Sequence, residues 1–222
     1  MHKTGILGGT FNPIHVGHLL LAEWALDALG LEEVWLLPSG ESYMKSGQDV
    51  LPARERLHMT QLAAAENRRL RCVDTEVQKP GASYTCETLE QLNRENPGTA
   101  FYFILGADCL FTMERWREPE RIFAACTLVA AMRGERSAEE MERKKRELER
   151  RFGARILLLP FLQVEVSSTQ VRERVAGGRS IRYLVPDSVR AYIEEKGFYS
   201  GDQKGFAEAE EKSGKGAGCQ KV

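Results

Sequence analysis

The chain has 222 residues, with 31 Lys and Arg against 32 Asp and Glu, for a formal net charge of −1. That length suits one large domain or two small ones, and a content of 42% hydrophobic and 8% aromatic residues fits an ordinary globule with a real apolar core. The charge balance leaves no basic excess to neutralise a phosphate polymer, which argues against a general nucleic-acid binder, and no run of about 18 apolar residues is present to span a bilayer.

Strand-like and helix-like segments alternate along the chain. A short apolar strand at 4–7 follows Met1-His2-Lys3 directly, so no secretory leader is expected. A helix is expected at 16–29, where Leu19, Ala22, Leu26 and Leu29 recur three and four apart and form one apolar face. A strand at 33–37 stops at Pro38-Ser39-Gly40, and after a loop to Leu51 the next helix is expected at 53–65, with Pro52 at its start. A strand at 70–73 precedes a helix at 84–95, which Asn96-Pro97-Gly98 ends. Strands at 101–105, 127–132 and 156–159 carry almost no polar residue. Residues 133–151 are dense in charge, with Met141, Leu148 and Phe152 as sparse anchors, and read as a solvated helical face. From 200 to 222 the chain is rich in Gly, Lys, Glu and Ser, which predicts a disordered tail after a domain over 1–199.

Continuously apolar strands alternating with helices predict an α/β fold. It would be a single doubly wound, Rossmann-like parallel sheet covered on both faces, with a small C-terminal helical extension. In such a sheet ligands sit beyond the carboxyl ends of the strands, so function belongs in the loops after Leu7, Leu37, Leu105 and Leu159. The five cysteines (Cys72, Cys86, Cys109, Cys126 and Cys219) are scattered and never form a C-x-x-C pair. They read as reduced thiols of a cytoplasmic protein, four of them as packing residues, with no structural zinc expected.

Two constellations carry chemistry. The first is Gly8-Gly9-Thr10-Phe11-Asn12-Pro13-Ile14-His15-Val16-Gly17-His18, between the first strand and the first helix. Gly8 and Gly9 allow backbone amides close to an anion, and the helix start adds free N–H groups and the positive end of a dipole. His15 and His18, three apart, project to one side of the first helical turn. Three readings are open. The run is a turn with two surface histidines, or part of a zinc site for which only His2 and His58 remain as further histidines, or a nucleoside triphosphate site whose imidazoles donate to phosphate oxygens. The second constellation is Val166-Ser167-Ser168-Thr169-Gln170-Val171-Arg172, after the last strand. Ser168 or Thr169 can cap the helix that follows, and Arg172, one turn in, can reach an anion. Alone this is as well explained by a helix cap; beside the first motif it is a second phosphate clamp.

Together the two runs resemble the T/H-x-G-H and I-S-S-T-x-I-R signatures of the nucleotidyltransferase superfamily. Within it, residues 3–199 are similar to the bacterial nicotinate-nucleotide adenylyltransferase family. The marks are Ser83-Tyr84-Thr85 with Thr88-Leu89, then Ile104-Leu105-Gly106-Ala107-Asp108, Trp116, and the segment from Ser180-Ile181-Arg182-Tyr183-Leu184-Val185-Pro186 through Tyr192-Ile193 to Tyr199. The resemblance implies the HxGH nucleotidyltransferase fold and adenylyl transfer from ATP to nicotinate mononucleotide in NAD biosynthesis, with deamido-NAD and pyrophosphate as products. It implies ATP contacts from Gly8, Gly9, Thr10, Phe11, His15, His18, Lys45, Gly106, Asp108 (through the ribose), Ser168, Thr169 and Arg172. His15, His18 and Arg172 would form the catalytic set, and Tyr84, Thr85, Trp116 and Lys45 would hold the pyridine nucleotide. Trp116 can also be read as a core aromatic, and Asp108 as a helix cap. Mg²⁺ would arrive on the ATP phosphates, so no residue is assigned to a metal.

Two departures from the family pattern stand out. A proline-rich P-P-H-K stretch is common after the second strand, whereas Pro38-Ser39-Gly40-Glu41-Ser42-Tyr43-Met44-Lys45 keeps only the lysine and has Met44 in place of the histidine. Met132-Arg133-Gly134 stands where R-P-G is common. The implied reaction needs no general base, because a phosphate monoester dianion is already a nucleophile, and catalysis becomes positioning plus charge stabilisation. His18 is assigned to the bridging or α-phosphate oxygens, His15 to neighbouring phosphates, and Arg172 with Ser168 and Thr169 to the departing pyrophosphate. The expected partners are ATP and nicotinate mononucleotide, without nucleic acid or membrane, and with a homo-oligomer left open. Two other classes compete: a catalytically idle nucleotide-binding regulator, which would not need both histidines, and an adenylyl- or cytidylyltransferase for another acceptor.

Overall fold

Six parallel strands form one sheet in the order β3-β2-β1-β4-β5-β6: β1 (His2–Gly9), β2 (Glu33–Pro38), β3 (Leu70–Cys72), β4 (Thr99–Gly106), β5 (Thr127–Met132) and β6 (Ile156–Pro160). The structure is a computed structural model and describes residues 2–40, 50–132, 136–162 and 164–200. Neighbouring positions along each central strand face opposite cores. Leu7, Val34, Leu36, Ile104, Val129 and Ala131 face one side, while Ile6, Trp35, Leu37, Phe103, Leu105, Leu128 and Ala130 face the other. Burial on both faces is why these strands read as unbroken apolar runs. The first face is covered by α1 (Val16–Leu29), α2 (Ala53–Ala64), α7 (Ser168–Ala176) and α8 (Asp187–Lys196). The second is covered by α3 (Thr85–Glu95), α4 (Ala107–Thr112), α5 (Pro119–Ala125) and α6 (Ala138–Phe152). The doubly wound fold with its C-terminal helical extension is as expected.

Several details differ from the periodicity. The strand expected at 4–7 runs on through Gly9, because Gly8 and Gly9 stay in register with Leu37 and Pro38 of β2. In α1 the fully buried stripe is Leu21, Ala22, Ala25 and Leu26, while Leu19 and Leu29 only flank the core. Ala22 and Ala25 lie in that buried stripe, and the bulkier Leu19 and Leu29 stay at its rim. Helix α6 begins with a capping box between Ser137 and Glu140 and ends at Gly153 in the left-handed region (φ 64°). It is not a merely solvated face. Lys144 is buried among its anchors and forms ion pairs with Glu114 and Glu147, and Arg151 reaches Glu114 as well. Lys144 first, then Arg151, holds the Glu114 carboxyl below its ordinary range. Glu114 lies in the 3-10 turn Met113–Arg115 that leads directly into Trp116, so α6 fixes the turn that presents this ring.

The C-terminal extension closes over the first face. Ile181, Val185, Val189 and Ile193 are buried there, and the Tyr192 hydroxyl donates to Glu55 Oε2 at 2.6 Å, docking α8 on α2. The chain then delivers the Tyr199 hydroxyl to Asn12 Oδ1 at 2.8 Å. No disulfide joins Cys72, Cys86, Cys109 and Cys126 among the described residues, and burial pushes the Cys126 thiol up to about 12. Cys219 lies outside the described residues, as does the expected 200–222 tail from position 201 onward. Among the described residues no helix is long and apolar enough to cross a membrane.

Candidate active site

The sheet order reverses between β1 and β4, since the chain moves from β1 outward to β3 and then returns to β4 on the other side. A crevice opens at the carboxyl ends of two such strands, and the loops after β1 and β4 flank it. The first motif lies there. Gly8 is exposed, whereas a Cβ on Gly9 would come within 2.9 Å of the Phe11 ring. Gly8 is thus open to a ligand, and Gly9 makes room for Phe11, whose backbone is left-handed (φ 48°) and whose ring also meets His18 edge-on at 4.9 Å. Such a conformation costs a non-glycine residue on the order of 1–3 kcal/mol, which packing on both sides of the ring offsets.

His15 is the N-cap of α1, with an extended backbone (φ −143°, ψ 168°), and its side chain and that of His18 form a reciprocal capping box. The rings stack with centroids 3.7 Å apart, as expected for residues sharing one side of a first turn. The glycine between them gives the His15 ring room, because a Cβ on Gly17 would lie 3.1 Å from that ring and press on it. The His15 N–H donates to His18 Nδ1 at 3.2 Å. With Nδ1 as acceptor, neutral His18 carries its ring proton on Nε2 and is a donor there.

The second motif, far along the chain, is stapled to the first. Ser168 Oγ donates to the Pro13 carbonyl at 2.8 Å, and Arg172 Nη1 donates to the Asn12 carbonyl at 3.0 Å. Arg172 Nη2 also reaches Thr169 Oγ1 at 3.3 Å, which leaves donors of the guanidinium over for an anion. The expected cap needs correction. Ser167, not Ser168 or Thr169, caps α7, because the cap residue must have extended backbone (φ −131°, ψ 153°) while Ser168 is already helical. Ser167 and Gln170 complete a capping box, and this frees Ser168 for the first motif.

On the β4 side, Gly106 is the N-cap of α4, and Asp108 is an exposed first-turn residue that does not cap the helix. Trp116 is half-buried, set edge-on to Phe103 at 6.5 Å, and Phe103 in turn lies 3.4 Å from where a Gly8 Cβ would be. This links the Trp116 ring to the phosphate loop through one side chain. Tyr84 is the N-cap of α3 and Thr85 its first residue, so the helix expected from 84 begins one residue later. The Arg117 guanidinium lies 4.2 Å over the Tyr84 ring, with Glu118 Oε2 at 3.6 Å from its Nε. Lys45 and Met44 lie outside the described residues, as do Arg133 and Gly134 of the second departure.

Sequence reasoning did not single out Arg56, Glu76, Arg117 or the Tyr199–Asn12 contact. Arg56 is only 2% exposed, yet nothing in its local sequence separates it from the charged residues around it on α2. Glu76 is buried as well, accepting from Thr88 Oγ1 at 3.0 Å and from the Gly40 N–H. Burial pushes its carboxyl above the ordinary range, against the opposing pull of Thr88, Lys79 and the Gly40 amide. Ionisation of Glu76 is therefore penalised in the fold. Stability at this group is full below the unfolded value near 4.5 and falls as pH rises from there to the higher folded value. Glu76→Gln keeps an acceptor for Thr88 and is expected to flatten that fall. Thermal melts between about pH 4 and 7 check it, and parallel curves for the two proteins would rule the group out.

Residues 6–174 match the Cytidylyltransferase-like family model. A probable nicotinate-nucleotide adenylyltransferase of Lachnoclostridium phytofermentans is 44% identical over 199 residues, which covers 90% of this chain and 100% of that protein. One from Geobacillus kaustophilus is 40% identical over 204 residues, covering 90% of this chain and 87% of that protein. Among solved structures, Plasmodium falciparum nicotinic acid mononucleotide adenylyltransferase complexed with NaAD superposes with a TM-score of 0.73 at 19% identity, over 90% of this chain and 98% of that one, a likeness of fold. With both signature motifs joined at one sheet edge and relatives of this identity matched over nearly their whole length, the chain belongs to the nicotinate-nucleotide adenylyltransferase family.

Proposed function

We propose that this chain transfers the adenylyl group of ATP to nicotinate mononucleotide, giving deamido-NAD and pyrophosphate. The observation that carries the reading is the Ser168–Pro13 hydrogen bond between motifs 155 residues apart, which sets a hydroxyl- and guanidinium-bearing helix start against the paired histidines. Gly8, Gly9, Thr10 and Phe11 supply backbone amides for the phosphates, with Gly106 opposite. Asp108, exposed beside that crevice, takes ribose hydroxyls. Lys45 is assigned to phosphate, as the sequence implies. Thr85 and Tyr84 present the start of α3 to the acceptor base, and the half-buried Trp116 stacks on its ring.

An oxygen of the acceptor's 5′-phosphate attacks the α-phosphorus of ATP, a new P–O bond forms, and the bond from the α-phosphorus to the pyrophosphate oxygen breaks. Charge grows on the bridging oxygen as it leaves. His18, with its donor on Nε2, meets the α-phosphate or bridging oxygen in this reading, and His15 meets the neighbouring phosphates. Arg172 with Ser168 and Thr169 holds the departing pyrophosphate through charge-assisted hydrogen bonds. Apart from the Asp108 carboxylate, the groups assigned to the crevice are amides, imidazoles, hydroxyls and a guanidinium, a donor set suited to anionic oxygens rather than to a cation, and among the described residues no three His, Cys, Asp or Glu side chains could together hold a metal. Mg²⁺ fits here as part of the substrate, carried on ATP oxygens with water in the rest of its shell, where it offsets phosphate charge. Four cysteines without a disulfide among the described residues suit a reducing compartment such as the cytoplasm.

The test is pyrophosphate release from ATP and Mg²⁺ with a panel of acceptors. Release with nicotinate mononucleotide is expected. Release only with a different acceptor, or only from CTP, would replace this reading by that of a related nucleotidyltransferase.

A further inference from the structure

Arg56 is a buried cation that faces, among the described residues, carbonyl and hydroxyl oxygens rather than a carboxylate. Its Nη1 donates to the Thr10 carbonyl at 2.7 Å and to Ser39 Oγ at 3.4 Å, Nη2 to the Gly40 carbonyl at 2.9 Å, and Nε to the Leu51 carbonyl at 2.9 Å. Burial lowers the affinity of this guanidinium for its proton. Keeping a charge there is costly, and a methionine would fill similar space without that cost. What the methionine could not do is hold several acceptors in one plane, which the rigid fork does.

The acceptors come from different loops. Thr10 belongs to the phosphate loop after β1. Because the peptide is planar and trans, drawing the Thr10 carbonyl towards Arg56 turns the N–H of Phe11 the other way. Ser39 and Gly40 belong to the loop after β2, and Gly40 is held at both ends: its carbonyl by Arg56 and its N–H by the Glu76 carboxyl. A Cβ on Gly40 would lie 2.3 Å from the Glu76 carbonyl, so this approach leaves no room for slippage. Glu76 then accepts from Thr88 Oγ1 at 3.0 Å, one turn into α3, whose first residues are Thr85 and Cys86. An unbroken chain of hydrogen bonds thus runs from the phosphate loop to the helix that presents the acceptor site.

We propose that Arg56 is a positioning residue that, through Gly40, Glu76 and Thr88, sets the register between the phosphate loop and the start of α3, so that the acceptor phosphate meets the α-phosphorus in line. This rests on the reading above that these two places bind ATP and the mononucleotide. On that reading Arg56 touches neither substrate, and what it fixes is the spacing between the two half-sites. A misplacement on the order of 1 Å costs up to about 10²-fold in a reaction that depends on alignment. Loss of Arg56 therefore lowers turnover while leaving the binding of each substrate alone intact.

The experiment uses the full chain with Arg56→Lys, Arg56→Met and Thr88→Val, the last cutting the chain of bonds at its far end by an isosteric change. Turnover is measured beside calorimetric titration with α,β-methylene-ATP and, separately, with nicotinate mononucleotide. Expected are kcat values lower by on the order of 10–100-fold for the Arg56 variants and a smaller fall for Thr88→Val. The dissociation constants should stay within about threefold and the binding stoichiometry should match the wild type. Stoichiometry that falls in step with kcat would reveal a loss of folded protein and overturn the positioning role. So would wild-type turnover in all three variants, or a loss confined to ATP affinity. Wild-type protein without turnover in the same assay would overturn the reaction itself and this role with it.

Discussion

Replacing His18 by alanine is expected to lower kcat by about 10²–10³-fold, the usual cost of removing one preorganised donor from a site where charge develops. The donor is preorganised by its own cap: the His15 N–H occupies Nδ1, so the proton must lie on Nε2, and the stacked His15 ring at 3.7 Å limits rotation. The same bond makes the alanine variant ambiguous, because it also removes an acceptor from the start of α1. His18→Glu resolves this. Glutamate at that position of a capping box accepts the same backbone N–H but carries no donor, so the melting temperature should recover to near the wild type while kcat stays low. A glutamate or alanine variant that kept near-full turnover would remove His18 from the mechanism.

Nicotinate mononucleotide is expected to exceed nicotinamide mononucleotide in kcat/KM by about 10–100-fold, or roughly 1.5–3 kcal/mol. The two acceptors differ by a carboxylate against a carboxamide, and Trp116 offers the same face to either ring. On the proposed site, discrimination falls on the start of α3, where the first-turn backbone N–H groups and the helix dipole favour an anion. The structure adds a cation that periodicity did not reveal, since Arg117 rests 4.2 Å over the ring of Tyr84, the cap of that helix. Glu87 in the first turn and Glu118 beside Arg117 oppose it, which keeps the expected ratio below that of an undiluted charge pair. Comparing kcat/KM for the two acceptors decides the matter. Equal values, or a preference for the amide, would take the start of α3 out of acceptor selection.

Local pattern alone was enough for much of this protein. Strands buried on both faces had to be apolar at every position, as at Phe101, Phe103, Ile104 and Leu105, so their number and parallel packing were legible before any contact was known. The Gly8–His18 run and the Ser167–Arg172 run were legible too, because anion-binding turns and helix starts demand particular residues at fixed short spacing. Tertiary structure decided the rest. Whether Ser167 or Ser168 caps α7 depends on which backbone is extended and on a Pro13 carbonyl that calls Ser168 away. Only packing shows that α1 buries the stripe through Ala22 and Ala25, and that Lys144 is buried where Glu114 meets it from another element. Nothing near Arg56 or Tyr199 in the chain announces the contacts they make. Their partners, the Thr10 carbonyl and the Asn12 side chain, lie 46 and 187 residues away, and a hydrogen bond across such a separation has no periodicity to betray it. Short-range order is written in spacing, whereas the alignment of loops from separate strands exists only once the sheet has brought their ends to one edge.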